Sequence, residues 1–548
     1  MSVSLVEEWE RASLAQHGMW ITERTGAGGP VYRMPLAVHL DGPLDVEAML
    51  AACAAVVRRH PILASALAER DGQVWSVPAE VAPPILFEDV SGDGLGPEAG
   101  GTIAGAFAEV TAGVTAELAA GVPGSPEWVA ARAAEPLDVR TGPVSRFTLF
   151  RLGPDRHLLL VVAHHAVFDG MSKDVLLRDL AAAYGGAGLD PLAVPYGEAA
   201  RAEQDRVEAD LAAAAEFWRS RWHDDRDVLL PGAGRSSLRA APGDAVDLAL
   251  GGEVAEAAGR LGVTRFELVL AALQVLLHAY GNEPVTVAVD LSTRTEETRD
   301  HVGPFVNELP VTCAPYGTFA EFAEAVRREL RAVYRYRHVP LARALGGIGP
   351  RTALTPVSVS YRARSGADPL FPGLDARVEW AMFNGTVRNT LHLQAVDGPA
   401  GLSARLQFNP AVIDRAGCEA VAGHLRALLA AVAARPDAPI GELPLPLSES
   451  RPAQTPVSGT ETAPAGQPVT GTGTDAALVG QVAAIWRDVL GLEEVLPDDD
   501  LFDLGGHSLT ITQIIAQVRD RMGVELSFEV FIDDPTVTGV ADEIARSR

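Results

Sequence analysis

Lysine is almost missing from this chain of 548 residues: Lys173 is its only one, and every other basic side chain that is cationic at neutral pH is an arginine. We read that bias as one of genome composition, without functional weight. Basic residues as a class are outnumbered, 45 against 72 acidic ones, for a formal charge of −27. That balance argues against nucleic acid as a partner, because phosphate binding needs clustered Lys and Arg. Cysteine is scarce as well: Cys53, Cys313 and Cys418 lie far apart in apolar stretches without CxxC spacing, and they read as core thiols rather than a disulfide or metal framework. No run approaches about eighteen uninterrupted apolar residues. The N-terminus opens on Glu7, Glu8 and Glu10 instead of a basic segment leading into an apolar one, so we expect no membrane span and a cytoplasmic protein.

What is present is 47% hydrophobic and 21% charged, the balance of a globular enzyme, at a length that calls for several folding units. The clearest boundary is 448–474, which contains RPAQTPVSGTETAPAGQPVTGTGT, rich in Pro, Gly and Thr and nearly free of large apolar residues. Such a stretch cannot bury a core and is expected to be a flexible linker. It separates a large unit from a compact tail, 475–548.

In the large unit, helical and strand patterns alternate without a repeat, as expected for α/β (α+β) layers. Thr264 and Glu267 form a capping-box pair ahead of Phe266, Val269, Leu270, Leu273, Leu276 and Leu277, which recur at helical spacing until Gly281. VTVAV, Val285 to Val289, then reads as a strand. HLLLVVA, His157 to Ala163, is short and continuously apolar, as in a strand buried on both faces, and helical spacing resumes from Ser172 to Leu180. The tail is helical throughout, with one stripe of Leu478, Val482, Ile485 and Val489 and a second of Ile511, Ile514, Ile515 and Val518.

Two segments carry chemistry. The first is His164-His165-Ala166-Val167-Phe168-Asp169-Gly170, where two imidazoles leave a buried strand and a carboxylate and a glycine follow within one turn. Taken alone it fits an acid-base site or a hydrogen-bonded histidine pair at a strand end. Adjacent histidines point to opposite faces of a strand and no partner Cys or His is suitably spaced, which speaks against a metal. The second is Asp503-Leu504-Gly505-Gly506-His507-Ser508-Leu509, which puts Ser508 at the start of the second tail helix. There, free backbone N–H groups and the helix dipole favour a phosphodiester, although a serine that merely starts a helix fits too.

Several separated motifs, in order, resemble those of condensation domains of nonribosomal peptide synthetases. SLAQHGMW (Ser13 to Trp20) is similar to the family's opening motif, RRHPILASAL (Arg58 to Leu67) to its second, and AHHAVFDGMS (Ala163 to Ser172) to its catalytic signature. GVTRFELVLAALQVLL is similar to its central helix, and VGPFVNELPV (Val302 to Val311) to the segment with Phe305, Val306 and Asn307. Pro61 stands where an acidic residue is common, and RTALTPVSVSY (Arg351 to Tyr361) matches the late motif only loosely. The tail resembles a peptidyl carrier domain, whose 4'-phosphopantetheine sits on the serine matching Ser508.

The resemblance implies a chloramphenicol-acetyltransferase-like V of two lobes, 1–184 and 185–447, enclosing a tunnel, followed by a four-helix carrier. It also implies amide formation between a donor thioester brought by an upstream carrier protein and an acceptor amine on Ser508. It assigns His165 to the amine, gives His164 a structural place, and pairs Asp169 with Arg294 to shape the turn, with Ser172 and Asn307 as further structural partners. Gly170 is expected where a side chain would block the arm. No adenylation domain lies between the large unit and the tail, so loading by a trans-acting adenylation enzyme is expected, after modification by a phosphopantetheinyl transferase.

Other relatives share parts of this pattern. An epimerase shares the histidine signature but follows its carrier, and a heterocyclising relative carries aspartates in place of the histidines. A recruitment domain of the same fold usually has a damaged HHxxxDG. Ser508 also fits a donor role toward a soluble, carrier-free acceptor.

Overall fold

The computed structural model describes residues 9–24, 28–70, 73–91, 122–224, 226–348, 351–364, 366–399, 401–446 and most of 476–547. The 448–474 linker expectation lies outside the described residues. Eleven strands matter for the site, in chain order β1 (Arg33–Asp41), β2 (Ile85–Asp89), β3 (Ser145–Gly153), β4 (Arg156–His164), β5 (Asp244–Ala249), β6 (Val285–Ser292), β7 (Val306–Cys313), β8 (Val357–Ala363), β9 (Asp375–Glu379), β10 (Leu391–Gly398) and β11 (Gly401–Phe408).

They form two sheets. The first runs β9-β1-β4-β3-β2, all neighbours antiparallel except β3 and β2. The second runs β7-β6-β8-β10-β11-β5, with β6-β8 and β8-β10 parallel and the other neighbours antiparallel. Strand β9 comes from far along the chain yet pairs with β1, Val378 opposite Val38, so the later half of the chain reaches into the first sheet.

The apolar run in β4 is buried on both faces because each face meets its own cluster. Leu159, Val161 and Ala163 pack with helices α1 (Val46–Arg59) and α2 (Ser172–Tyr184), whereas Leu158, Leu160 and Val162 pack with Trp128 and Phe150. That is the two-residue alternation of a central strand.

In the second half, α3 (Arg265–Ala279) starts at the expected capping box: Thr264 Oγ1 accepts from the Glu267 N–H at 3.1 Å and the Glu267 carboxylate from the Thr264 N–H at 2.7 Å. Its residues Leu268 to Leu277 are buried against β6, β7 and the helix α4 (Arg415–Ala434). Of the described helices, α4 alone has the length and apolarity of a membrane span, and its apolar side is part of this core. Gly281 ends the α3 segment at φ +99°, a conformation that disfavours any side chain.

Cys53 and Cys418 are buried and Cys313 packs at the core's margin. Burial pushes all three thiols up to about 12, so they stay protonated at neutral pH, as expected for core thiols.

The tail has four helices, α5 (Ala476–Leu490), α6 (Ser508–Met522), α7 (Val530–Asp533) and α8 (Val537–Ser547). Both expected stripes meet in one core: Leu478, Val482 and Ile485 pack with Ile511, Ile514 and Val518 around Trp486 and Phe531, while Val489 and Ile515 sit at its edge.

Leu273 is fully buried in the middle of α3. Leu273→Ala should destabilise the large unit by about 2–5 kcal/mol through lost burial and a residual cavity, read as a shift of its urea midpoint at unchanged slope.

Candidate active site

Strand β4 ends at His164, and a single 3-10 turn, His165–Val167, leads through Phe168, Asp169 and Gly170 into α2. His164 points its ring back into the fold: Nδ1 accepts the Ala166 N–H at 3.1 Å and Nε2 lies 3.3 Å from Glu23 Oε1. His165 is placed differently. Among the described residues neither of its ring nitrogens bonds to another residue, its Nδ1 is buried, and the ring sits edge-on to Tyr32 and lines a cavity of about 260 Å³. Burial, and secondarily the charge of Arg388, hold its pKa below the ordinary imidazole value, so the ring is neutral at pH 7.

The turn is fixed from the other half of the chain. Asp169 Oδ1 accepts from the Ser172 N–H at 2.7 Å, from Ser172 Oγ at 2.7 Å and from Arg294 Nη2 at 2.8 Å, and Oδ2 accepts from the Phe305 N–H at 3.1 Å. Ser172 Oγ in turn accepts the Gly303 N–H at 3.0 Å. Arg294 also donates through Nη1 to the carbonyls of Thr298 at 3.0 Å and His301 at 2.6 Å, and its guanidinium lies 4.7 Å from the Phe305 ring centroid. Both side chains of the ion pair are 4% exposed. A carboxylate so deep in the fold is tolerable only because each oxygen has a donor and the charge has a partner.

Arg294 and Ser172 are thus brought to Asp169, while Asn307 is not brought to the cavity. Its amide donates to the carbonyls of Arg337 at 2.9 Å and Val339 at 3.0 Å, where it anchors the segment after the helix Phe319–Tyr334. Gly170 lines the cavity, but a Cβ there would meet Arg362 Cδ at 3.6 Å, ordinary contact distance. A methyl fits, so the space that Gly170 leaves matters only for larger side chains.

Sequence reasoning missed several residues on the same cavity: Lys173, Arg362, Arg388 and His392. Lys173 has a place after all. Its Nζ donates to the carbonyls of Pro35 at 2.8 Å and Trp380 at 3.4 Å, tying α2 to β1 and to the end of β9, and burial pushes its pKa down to about 7. That it is the chain's only lysine, three residues past Gly170, was the available signal. Arg362 and His392 sit on adjacent strands β8 and β10, where nothing local marks them. Burial likewise holds His392 down to about 4, with its Nδ1 2.7 Å from Ser358 Oγ.

A larger cavity, about 820 Å³, lies beside α1 and the 186–196 segment and contains neither His165 nor Asp169. Chemistry, not size, therefore locates the site at the smaller one. Among the described residues no cluster of His, Cys, Asp or Glu is suited to a metal ion.

In the tail, Ser508 is the first residue of α6, a helix of 15 residues. Asp503, Gly505, Gly506 and His507 lie outside the described residues. The first-turn position suits a phosphodiester, since the leading N–H groups of a helix have no intrahelical acceptor and the dipole is positive there.

Comparison with known proteins agrees with this geometry. The family model described as "Condensation domain" matches residues 124–454, and that described as "Phosphopantetheine attachment site" matches 480–544. The chain belongs to the condensation-domain family. The tail following this condensation unit is a carrier domain, and the cofactor of such a domain is covalent 4'-phosphopantetheine.

Among its relatives is tyrocidine synthase 3 of Brevibacillus parabrevis, 26% identical over 454 residues that make up 80% of this chain and 6% of that protein. Another is the probable non-canonical nonribosomal peptide synthetase CymA of Salinispora arenicola, 29% identical over 460 residues, 77% of this chain and 6% of that protein. The chain thus spans about 6% of the length of these curated relatives. In fold, it is similar to the first condensation domain of the calcium-dependent antibiotic synthetase, with TM-score 0.62 and 22% identity over 80% of this chain and 99% of that one. It is similar too to the X-domain from teicoplanin biosynthesis, with TM-score 0.61 and 23% identity over 80% and 98%.

Arg294→Met should leave the Asp169 carboxylate buried without its cation. A loss of about 3–5 kcal/mol is expected, measured by thermal unfolding, and adding Asp169→Asn to the Arg294→Met variant should recover part of it.

Proposed function

We propose that this condensation unit forms an amide between a donor acyl group delivered by an upstream carrier protein and an acceptor amine carried on Ser508 of the chain's own tail. The observation that carries the reading is the half-buried, neutral imidazole of His165, its ring nitrogens free of hydrogen-bond partners among the described residues, facing an internal cavity on a turn locked by Asp169 and Arg294. When bound to Ser508, 4'-phosphopantetheine supplies a flexible arm whose thiol carries an acyl group as a thioester.

What the protein's own groups contribute can be bounded. An α-amine has a pKa of about 7.7–8.0, so presenting it neutral near pH 7 costs only about 1 kcal/mol. Holding amine and acyl carbon in attack geometry contributes far more, about 7–11 kcal/mol. His165 therefore acts mainly by orienting the amine through a hydrogen bond, and its free ring nitrogen takes up the proton that the amine releases as the C–N bond forms, while the donor's C–S bond breaks and the upstream carrier's thiol leaves with a proton. His164, with both nitrogens engaged, braces the turn. Asp169 and Arg294 act through the backbone of the turn and do not touch the reactants.

The reading also implies a phosphopantetheinyl transferase to modify Ser508, an adenylation enzyme to load it in trans, and an upstream carrier to present the donor. It is supported by the matched carrier model and by the absence of an adenylation segment between the two matched units.

His165→Ala should lower turnover strongly yet incompletely, followed as mass gain on the loaded tail by intact-protein mass spectrometry. Full retention of rate would remove His165 from the reaction. In the same assay growth of the group on Ser508 marks an acceptor, loss marks a donor to a free acceptor, and no change marks a recruitment role. Because burial and Arg388 hold the imidazole neutral, the step that His165 adds to the acid limb of the rate profile should lie below about pH 6.5, under the fall that the amine's own ionisation sets at about pH 8. That step should move upward in Arg388→Gln; an unmoved step would rule out this influence.

A further inference from the structure

The chain as a whole is acidic, at −27, yet the wall of the cavity beside His165 is the reverse. It brings together Arg33, Lys173, Arg362 and Arg388 against two carboxylates, Asp169 and Asp290. Both carboxylates already have partners: Asp169 has Arg294, and Asp290 lies 3.9 Å from Arg388 Nη2. Arg388 is matched in return, with Glu308 3.5 Å from the same nitrogen. The other three cations are matched less directly. Arg33 has no side-chain hydrogen bond among the described residues, and the one opposite charge it feels is that of Glu23; Lys173, itself only partly charged near pH 7, shares the charge of Asp174 with Arg362.

Arg362 is 11% exposed, and its Nη1 donates to the Gly170 carbonyl, while Nε and Nη2 are buried without hydrogen-bond partners. The carboxylate it approaches, Asp174, is 3.8 Å away and takes a 2.8 Å hydrogen bond from Arg364 instead. Lys173 meets only backbone carbonyls.

We propose that this cavity accepts an acyl group bearing a free carboxylate, held by Arg362 and Arg33. The inference rests on the preceding reading, in which donor and acceptor groups meet beside His165. Buried guanidinium N–H groups left without acceptors are costly, and a site built around them favours the ligand that fills them. A carboxylate does so with two acceptor oxygens matched to the planar fork of arginine and with the charge the wall lacks. An amide of the same shape offers one acceptor and turns a donor toward the cations. The protein's negative field would oppose the approach of such an anion, so discrimination resides in the cavity rather than in long-range steering.

The carboxylate belongs either to the acceptor or to the donor, and the experiment separates the two. Isothermal titration calorimetry on the full chain would use stable amide-linked aminopantetheine analogues in two series. Aspartyl and asparaginyl analogues with a free α-amine stand for acceptors, and their N-acetylated counterparts for donors. In one series the aspartyl analogue should bind at least about tenfold more tightly than the asparaginyl one, and that series identifies the side.

Arg362→Gln should bring the ratio toward one. Because Arg362 also holds the Gly170 carbonyl, Arg33→Gln is measured in parallel, and it should reduce the same ratio without disturbing the turn. Asparaginyl analogues that bind as tightly as aspartyl ones in both series would overturn the carboxylate assignment while leaving the amide-forming reading in place. Failure of every analogue to bind would overturn both.

Discussion

The Asp169 carboxylate is the constraint on which the site depends. It sits on the turn between β4 and α2, but its donors Arg294 and the Phe305 N–H come from the other half of the chain, as does the Gly303 N–H that supports Ser172. A buried charge is tolerable only with such complete satisfaction. Asp169 therefore holds the histidine turn of the first half against the loop after β6 in the second. Tethers on the opposite side reinforce this: β9 adds to the first sheet, Lys173 bonds the Trp380 carbonyl beside it, and Arg362 bonds the Gly170 carbonyl. His165 owes its position to this double anchoring, having no described bond of its own from either ring nitrogen.

The two histidines show how neighbouring identical side chains acquire different chemistry. His164 closes the strand with both nitrogens engaged and its ring against the fold. One residue later the chain has entered a 3-10 turn, and the His165 ring faces the cavity. Desolvation and the nearby Arg388 then bias it toward the neutral form, the state in which an imidazole can accept a proton. Electrostatics within the cavity is thus set locally, by which groups are buried there, and runs opposite in sign to the charge of the chain.

Much of the scaffold was legible because it follows from periodicity and local hydrogen bonding. The capping box at Thr264, the buried alternation of β4 and the two stripes of the tail depend on residues close in sequence, and each appears where the pattern placed it. The Asp169–Arg294 pairing was accessible only through family resemblance, since 125 positions separate the two. Asn307 looked like part of the site from its motif, yet it bonds the backbone beyond the helix Phe319–Tyr334. Lys173 read as a compositional leftover, and Arg362 and Arg388 carried no motif at all. The cavity groups Lys173 from α2, Arg362 from β8 and Arg388 from the segment before β10, a convergence that no short-range pattern encodes.

The amino-acid sequence alone determined the secondary elements, the division into a large unit and a helical tail, and the identities of the reactive groups, because these depend on spacing within a few turns of chain. Only the tertiary structure decided which histidine faces the cavity, which acid meets which arginine, and that an acidic chain encloses a cationic wall. Those outcomes depend on burial and on contacts between distant segments, where the free energy of a charge is set by neighbours that sequence order does not name.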